Sequence, residues 1–458
     1  MERRLRLPLA AAVLFPAFLH AQTSPEMARI LERLDRLESQ NQELLEEIRM
    51  LRAEVGSARG EPAAAPLPET AAAAASAAPA TVEQRLDIQE QRTAEQAQSK
   101  VESSQKFPIR VTGMALFNAF VNSNQSGGYE YPTAASPTGP AHDGATIRQT
   151  IVGLQYQGPE TLWGGHVQGS VYMDFFSGTP PLGQTFRLRT GSIELDWASR
   201  SIMVGVEKPI FNPREPSSLA QVGISPLTGA GNLWLWMPQV RLEQDLSLGA
   251  SSGVHAQMGV VQTTEIGPYA GSDPVGAVEP WRPGLEGRFE FFHKIDDERR
   301  FELAPGFHVS TTHAGGFSIP SQIVSADWLF RPAHLLEFTG AFYSGQNVAP
   351  LGTGLVPQGF LIYRGQARAI HSTGGWGQFT IHAARRLDVH FFTGERDDRS
   401  SELDMGALGK NLVYGANVYF RFAPNVLLGW EASQTRTVYL GQGTLINNHY
   451  DLALGYLF

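Results

Sequence analysis

Residues 450–458 read YDLALGYLF, and with them the 458-residue sequence ends. Tyr450, Leu452, Leu454, Tyr456 and Phe458 occupy every second position, with Asp451, Ala453 and Gly455 between them. A period of two is that of a β-strand, whose side chains alternate between faces. One face of this strand is apolar and aromatic throughout. In water such an edge templates aggregation. In a bilayer it serves as the closing strand of a barrel, the one sheet form that leaves no edge unpaired.

The same pattern recurs upstream. In HVQGSVYMDFF, Val167, Gly169, Val171, Met173 and Phe175 share one face. His166, Gln168, Ser170, Tyr172 and Asp174 share the other. LEGRFEFFHKI sets Leu285, Phe289, Phe291 and Ile295 against Glu286, Arg288, Glu290 and Lys294. From Phe107 onward such runs are broken by Gly, Pro, Asn and Asp. Strands start near 107, 147, 163, 185, 200, 238, 252, 284, 300, 321, 334, 372, 387, 408, 424 and 446. These features predict an all-β transmembrane barrel of about 16 antiparallel strands over 107–458. Short connections (GPETLW, WASR, DLSLG, IDDER, RPAH, AARR, APN) alternate with long ones at 122–146, 177–184, 209–237, 265–283, 313–320, 345–371, 395–407 and 438–445. Short periplasmic turns and longer outer loops are the usual asymmetry of such barrels. The parity returns the last strand to the periplasmic side.

The N-terminal 106 residues have a different texture. MERRLR followed by LPLAAAVLFPAFL predicts a signal peptide over 1–21, too short for a spanning helix. Residues 22–55 predict a coiled coil. Its core series is Ile30, Leu34, Leu37, Asn41, Leu44, Ile48 and Leu51, at alternating spacings of three and four. Leu31 and Leu45 widen the seam toward three strands, whereas a buried Asn41 also suits two. Residues 56–80 are an Ala/Pro-rich linker, and 81–106 a polar helical stalk. The α-helical stalk thus precedes the barrel, in the periplasm.

Composition excludes several classes. The chain has no cysteine, hence no disulfide or thiolate metal site. A net charge of -9 without a basic stripe argues against nucleic acid as a partner. His308 and His313 flank Ser310, and His382 and His390 straddle a turn. No H-E-x-x-H spacing or G-x-S-x-G elbow accompanies them. No enzyme activity, cofactor or metal site is expected.

With its signal peptide, barrel of about sixteen strands, terminal Phe458 and long third connection, the sequence resembles the general bacterial outer-membrane porins. FPIRVTGMALFNAF and PSSLAQVGISPLTGAGNLWLWMPQ look like porin segments, and the form with an N-terminal periplasmic coiled coil is the nearer likeness. The resemblance implies an outer-membrane protein and a homotrimer of barrels. It implies that Tyr450, Leu452, Leu454, Tyr456 and Phe458 form a signal read by the barrel-assembly machinery. It also implies that the third connection folds into the lumen as a constriction. That connection carries Arg214 and Glu215 as its charges, with Trp234 and Trp236 near its end.

Polar parity nominates Arg148, Asp174, Glu194, Asp196, Arg241, Glu243, Glu286, Arg288 and Glu290 as lumen-facing. Charged rings set ion preference, and this set is mixed. Each of these charges also reads as a structural ion pair. Arg187 and Arg189 lie where the strand parity shifts, which leaves their side open. Phosphate-selective relatives use lysine-rich channels, but 107–458 holds only Lys208, Lys294 and Lys410. Trp234, Trp236 and Tyr172 offer an aromatic path for sugars, or simply packing. The expected function is a water-filled channel for passive diffusion of small hydrophilic solutes, with weak or mixed charge selectivity. The rival expectation is a structural barrel with a plugged lumen, tethered through the coiled coil to the cell wall or a partner.

Overall fold

The computed structural model describes residues 108–178, 185–265, 282–354 and 358–458. The signal peptide, coiled coil, linker and stalk lie outside the described residues, as do the core positions Ile30 to Leu51.

The first half of the barrel contains β1 (Ile109–Asn122), β2 (His142–Thr146), β3 (Ile151–Glu160), β4 (His166–Ser177), β5 (Thr185–Trp197), β6 (Arg200–Glu207), β7 (Met237–Ser247), β8 (Ser252–Thr263) and β9 (Arg282–Lys294). Next come β10 (Arg300–Ala314), β11 (Phe317–Ala333), β12 (Leu336–Gln346) and a small hairpin, β13 (Phe360–Tyr363) with β14 (Gln366–Ala369). Then follow β15 (His371–Ala384), β16 (Leu387–Asp398), β17 (Leu408–Ala423), β18 (Val426–Tyr439) and β19 (Gly443–Leu457). Among the described residues the only helical segments are three-residue 3-10 turns.

Each wall strand pairs antiparallel with its sequence neighbours, and β1 pairs with β19 to close the cylinder. The closing register runs from Met114 opposite Leu457 to Asn122 opposite His449. Phe458 and Gly113 extend it with reciprocal backbone hydrogen bonds of 3.0 and 3.1 Å. β2 and β3 occupy one lane beside β1, interrupted at residues 147–150. The hairpin β13–β14 is a separate two-stranded sheet whose Phe360 packs against Ala314 and Ile319 of β10 and β11. The wall therefore has sixteen lanes. Starts expected at 185, 200, 252, 300, 387 and 408 coincide with the first residues of β5, β6, β8, β10, β16 and β17.

Two long connections are tight turns instead. β10 and β11 are joined through Gly315 and Gly316 alone, with φ of 56° and 81°. Positive φ at both central positions matches the right-handed twist of the flanking strands, and glycine adopts it without strain. β18 and β19 likewise run on to Tyr439 and Gly443. Alternating hydrophobicity stops before these strands do, which is why 313–320 and 438–445 read as loops.

On β19 the two faces separate fully. Tyr450, Leu452, Leu454, Tyr456 and Phe458 point outward and are 45–50% exposed, while Asp451 and Ala453 point inward at 2%. Farther round the wall, Phe301, Phe330, Phe338, Phe379 and Phe391 are successive register partners on β10, β11, β12, β15 and β16. Their rings lie 4.6–6.5 Å apart, forming part of an aromatic row.

The inner face is less polar than the sequence pattern suggests. Val261, Ile323 and Tyr343 point inward, as do Trp376, Phe392 and Val413. They pack against Ile210, Phe211, Leu227, Ala230 and Leu233 of the β6–β7 connection. Lumen side chains turn apolar where a chain segment rather than water covers them.

Candidate functional site: the constricted lumen

The connection from β6 to β7, residues 208–236, crosses the barrel interior. An irregular buried segment must find partners for its backbone groups, and the wall supplies them around most of its circumference. The amide of Ile210 donates to Glu286 Oε2 on β9 (2.7 Å), and Ser325 Oγ on β11 donates to the Phe211 carbonyl (2.9 Å). The Ser217 amide donates to Gln378 Oε1 on β15, and Asn417 Nδ2 on β17 donates to the Ser217 carbonyl. Ser218 Oγ donates to Glu431 on β18 (2.6 Å). Asn118 Nδ2 on β1 reaches the Leu219 carbonyl at 2.9 Å. Gln149, in the break between β2 and β3, donates to the Ala220 carbonyl and accepts from the amides of Val222 and Gly223. Asn411 on β17 holds the Gly229 carbonyl. Gly231 has φ +97°, and a Cβ there would fall 2.2 Å from the Gly375 carbonyl oxygen. Only glycine permits that approach to the wall.

One side of the lumen carries an arginine cluster. Asp174 on β4 is fully buried and accepts from Arg187 at 2.6 and 3.1 Å and from Arg189 at 2.7 Å. A register shift opposite Tyr172 and Met173 leaves Arg189 without a partner residue in the ladder, so both arginines face inward. Both also donate to the crossing segment, at the carbonyls of Gly223 and Val222. The Trp236 ring lies under them, its centroid 4.5 Å from the Arg189 guanidinium carbon and 5.3 Å from that of Arg187. Trp234 is buried and meets Trp236 edge-on at 5.1 Å. Arg148 lies beside the cluster, 3.1 Å from Glu130 and 4.6 Å from the centre of the Phe176 ring.

β9, β10 and β11 carry a second network. Arg214 reaches Asp327 (2.5 Å), Glu302 (2.6 Å) and Glu290 (2.9 Å). Arg288 shares Asp327 and Glu290 at 2.7 and 2.5 Å. Burial works against the Arg214 charge, but Asp327 and Glu302 outweigh it and hold the guanidinium above its ordinary value. Glu286 accepts from the Ile210 amide with one oxygen and contacts His308 Nδ1 with the other at 2.8 Å. His308 Nε2 meets Ser310 Oγ at 2.9 Å. The row has the order of a catalytic triad, but His308 is fully buried beside Phe211 and Glu286 fixes the crossing segment.

A third charged group lies toward the end where the short turns are. Arg241 and Glu243 pair at 2.5 Å, and His255 bridges Glu243 and Asp245. Glu194, Asp196 and His166 line a cavity of about 520 Å³ with Glu243, Asp245 and His255.

Two further connections fold inward. From residues 123–141, the Tyr131 hydroxyl donates to Asp451 (3.0 Å) and the Ala135 amide to Thr437 Oγ1 (2.8 Å). From residues 347–354, the Leu351 carbonyl accepts from the amide of Leu235. Beside the crossing segment a cavity of about 310 Å³ remains, lined by Arg189, Ser217, Ser218, Gln221, Ser225 and Tyr419. A larger groove of about 560 Å³, bordered by Trp163, Trp197, Leu242, Met258 and Phe289, opens on the outer wall.

The barrel fold is shared with solved structures. The outer membrane channel DcaP of Acinetobacter baumannii superposes with a TM-score of 0.65 at 14% identity, over 76% of this chain and 97% of that one. An anion-selective porin from Comamonas acidovorans superposes with a TM-score of 0.51 at 10% identity, over 76% and 99%. The fold is the porin fold. No family model and no curated protein matches the chain.

Within this porin barrel, the nominated charges fall into separate groups. Asp174 joins Arg187 and Arg189. Glu286, Arg288 and Glu290 join the network around Arg214 and Asp327. Arg241 and Glu243 lie with His255. Arg148 sits in the β2–β3 break rather than on a strand, because the Thr146 side chain takes its amide and the chain turns at Ile147–Thr150. Tyr172 faces inward but hydrogen-bonds Gln155 at 2.6 Å. Glu215 pairs with Lys208 at 2.6 Å. Sequence reasoning missed the neutral amides Asn118, Gln149, Gln378, Asn411 and Asn417. Nothing in a strand pattern separates a lumen amide that holds a loop from one that faces water.

Proposed function

We propose that the protein is an outer-membrane channel for passive diffusion of small hydrophilic solutes, with weak or mixed charge selectivity. The observation that carries this reading is the crossing segment, pinned to the wall from β9 round to β5 beside a polar cavity. Arg148, Arg187 and Arg189 against Asp174 and Glu130 leave one net positive charge on one side. On the other side Arg214, Arg288 and Arg300 balance Glu290, Glu302 and Asp327. A net charge this small favours neither ion strongly. The outward apolar face and the phenylalanine row support a position in the outer membrane. Signal peptide 1–21, coiled coil 22–55, linker 56–80, stalk 81–106 and barrel 107–458 complete the proposed organisation. The coiled coil lies in the periplasm of a homotrimer, outer-membrane lipids surround the barrel, and the assembly machinery reads Tyr450 to Phe458. The lumen groups serve passage rather than catalysis.

Liposome swelling tests this reading. Vesicles holding the full chain swell in isotonic arabinose and more slowly in larger sugars. A second reading, the plugged structural barrel tethered through its coiled coil, draws on the apolar contacts between the crossing segment and the wall. Vesicles that fail to swell in any sugar, with protein shown to be folded, favour it.

A further inference from the structure

The rim that carries the long connections holds a charged group unconnected with the lumen networks. Glu402, on the β16–β17 connection, has a side chain only 3% exposed. It accepts from the His371 amide at 2.7 Å and lies 3.0 Å from His371 Nδ1. Arg399 Nη1 and Arg368 Nη2 both approach its Oε1, at 3.1 and 3.4 Å. One buried oxygen thus holds two guanidiniums side by side. Their side chains are 57% and 58% exposed, so their remaining N–H groups face solvent. Arg364, at the tip of the β13–β14 hairpin, stacks on the exposed ring of Tyr363 at 5.1 Å.

The neighbouring carboxylates are engaged elsewhere. Asp398 is taken by Arg396 at 2.6 Å, and Asp397 shares Lys410 with Glu395. Arg368 and Arg399 share the one carboxylate of Glu402, with His371 beside it. Two adjacent guanidiniums with free donors match a tetrahedral, multiply charged anion better than a planar carboxylate, which a single fork satisfies.

We propose that Arg368 and Arg399, held together by Glu402, form a binding site for the phosphate group of a phosphate ester at the barrel rim. The site is outside the lumen and does not depend on whether the lumen conducts. Two sources carry this chemistry, a phosphorylated lipid headgroup and a soluble phosphate ester.

The test uses the full chain in detergent and in vesicles. Inorganic phosphate binding is measured by calorimetry. Recruitment to lipid A is measured by flotation, against vesicles of dephosphorylated lipid A. The wild type is expected to bind one or both phosphorylated probes. The double variant Arg368→Ala/Arg399→Ala is expected to bind at least tenfold more weakly, with unchanged heat-modified gel mobility as the check on folding. Binding to lipid A alone assigns the lipid headgroup, and binding of inorganic phosphate assigns the soluble ester. A wild type that binds neither probe overturns the proposal, as does a folded double variant that binds like the wild type.

Discussion

Arg214 of the crossing segment and Asp327 of β11 meet at 2.5 Å inside the barrel, with side chains 15% and 1% exposed. The same guanidinium also reaches Glu290 and Glu302. Removing one member of a buried ion pair costs about 3–5 kcal/mol, because the remaining charge stays buried without compensation. Arg214→Ala leaves Asp327 and Glu290 sharing Arg288, leaves Glu302 with Arg300, and frees this end of the crossing segment. We expect a larger single-channel conductance and a reversal potential shifted toward cations. An unchanged conductance would mean that residues 208–236 do not set the narrowest point.

Asp174 does the opposite work on the other side. Asp174→Asn removes the carboxylate shared by Arg187 and Arg189 while keeping a side chain of similar shape. Two guanidiniums then face the cavity with only carbonyl acceptors and the Trp236 ring. Reversal potential under a potassium chloride gradient should move toward anion preference. No movement would place these arginines off the conduction path.

These charges show how far the sequence could be read. Inward or outward direction followed from period two for Asp174, Glu286, Arg288 and Glu290. It did not follow for Arg187 and Arg189, because a bulge adds one residue and no composition signal marks it. The lane count was legible because sixteen short alternating runs are hard to arrange otherwise. The length of the β10–β11 and β18–β19 hairpins was not legible, since strands above an apolar band lose their alternation but keep their ladder. The identity of the wall residues that pin the crossing segment was hidden as well. Asn118, Gln149 and Asn417 earn that role from a segment distant in sequence.

Glu402 gives the rim a pH dependence. Burial opposes its ionisation, but the His371 amide and ring, with Arg368, outweigh burial and lower its pKa from 4.5 to about 2. A depressed carboxylate pKa stabilises the folded form fully above the ordinary value. That contribution falls away as pH drops from about 4.5 toward 2. Pepsin cleavage within residues 399–407 should therefore rise across that window. Glu402→Gln, which cannot titrate, supplies the reference at each pH. Equal acid sensitivity of the two proteins would show that Glu402 does not hold this connection.

Phe458 joins β19 to β1 through its backbone, and its ring packs where a Gly113 side chain would be. Phe458→Ala keeps the backbone pair and removes the ring. Assembly yield in the outer membrane should fall several-fold, while protein refolded in detergent retains the heat-modified mobility of a closed barrel. Equal yield in the membrane would remove Phe458 from the assembly signal.

Planar-bilayer recording of the full chain shows whether the passage beside the crossing segment is open. We expect discrete conductance steps in groups of three, with a small reversal potential under a salt gradient. Folded protein that inserts and gives no steps at any voltage would contradict an open passage and leave a plugged barrel.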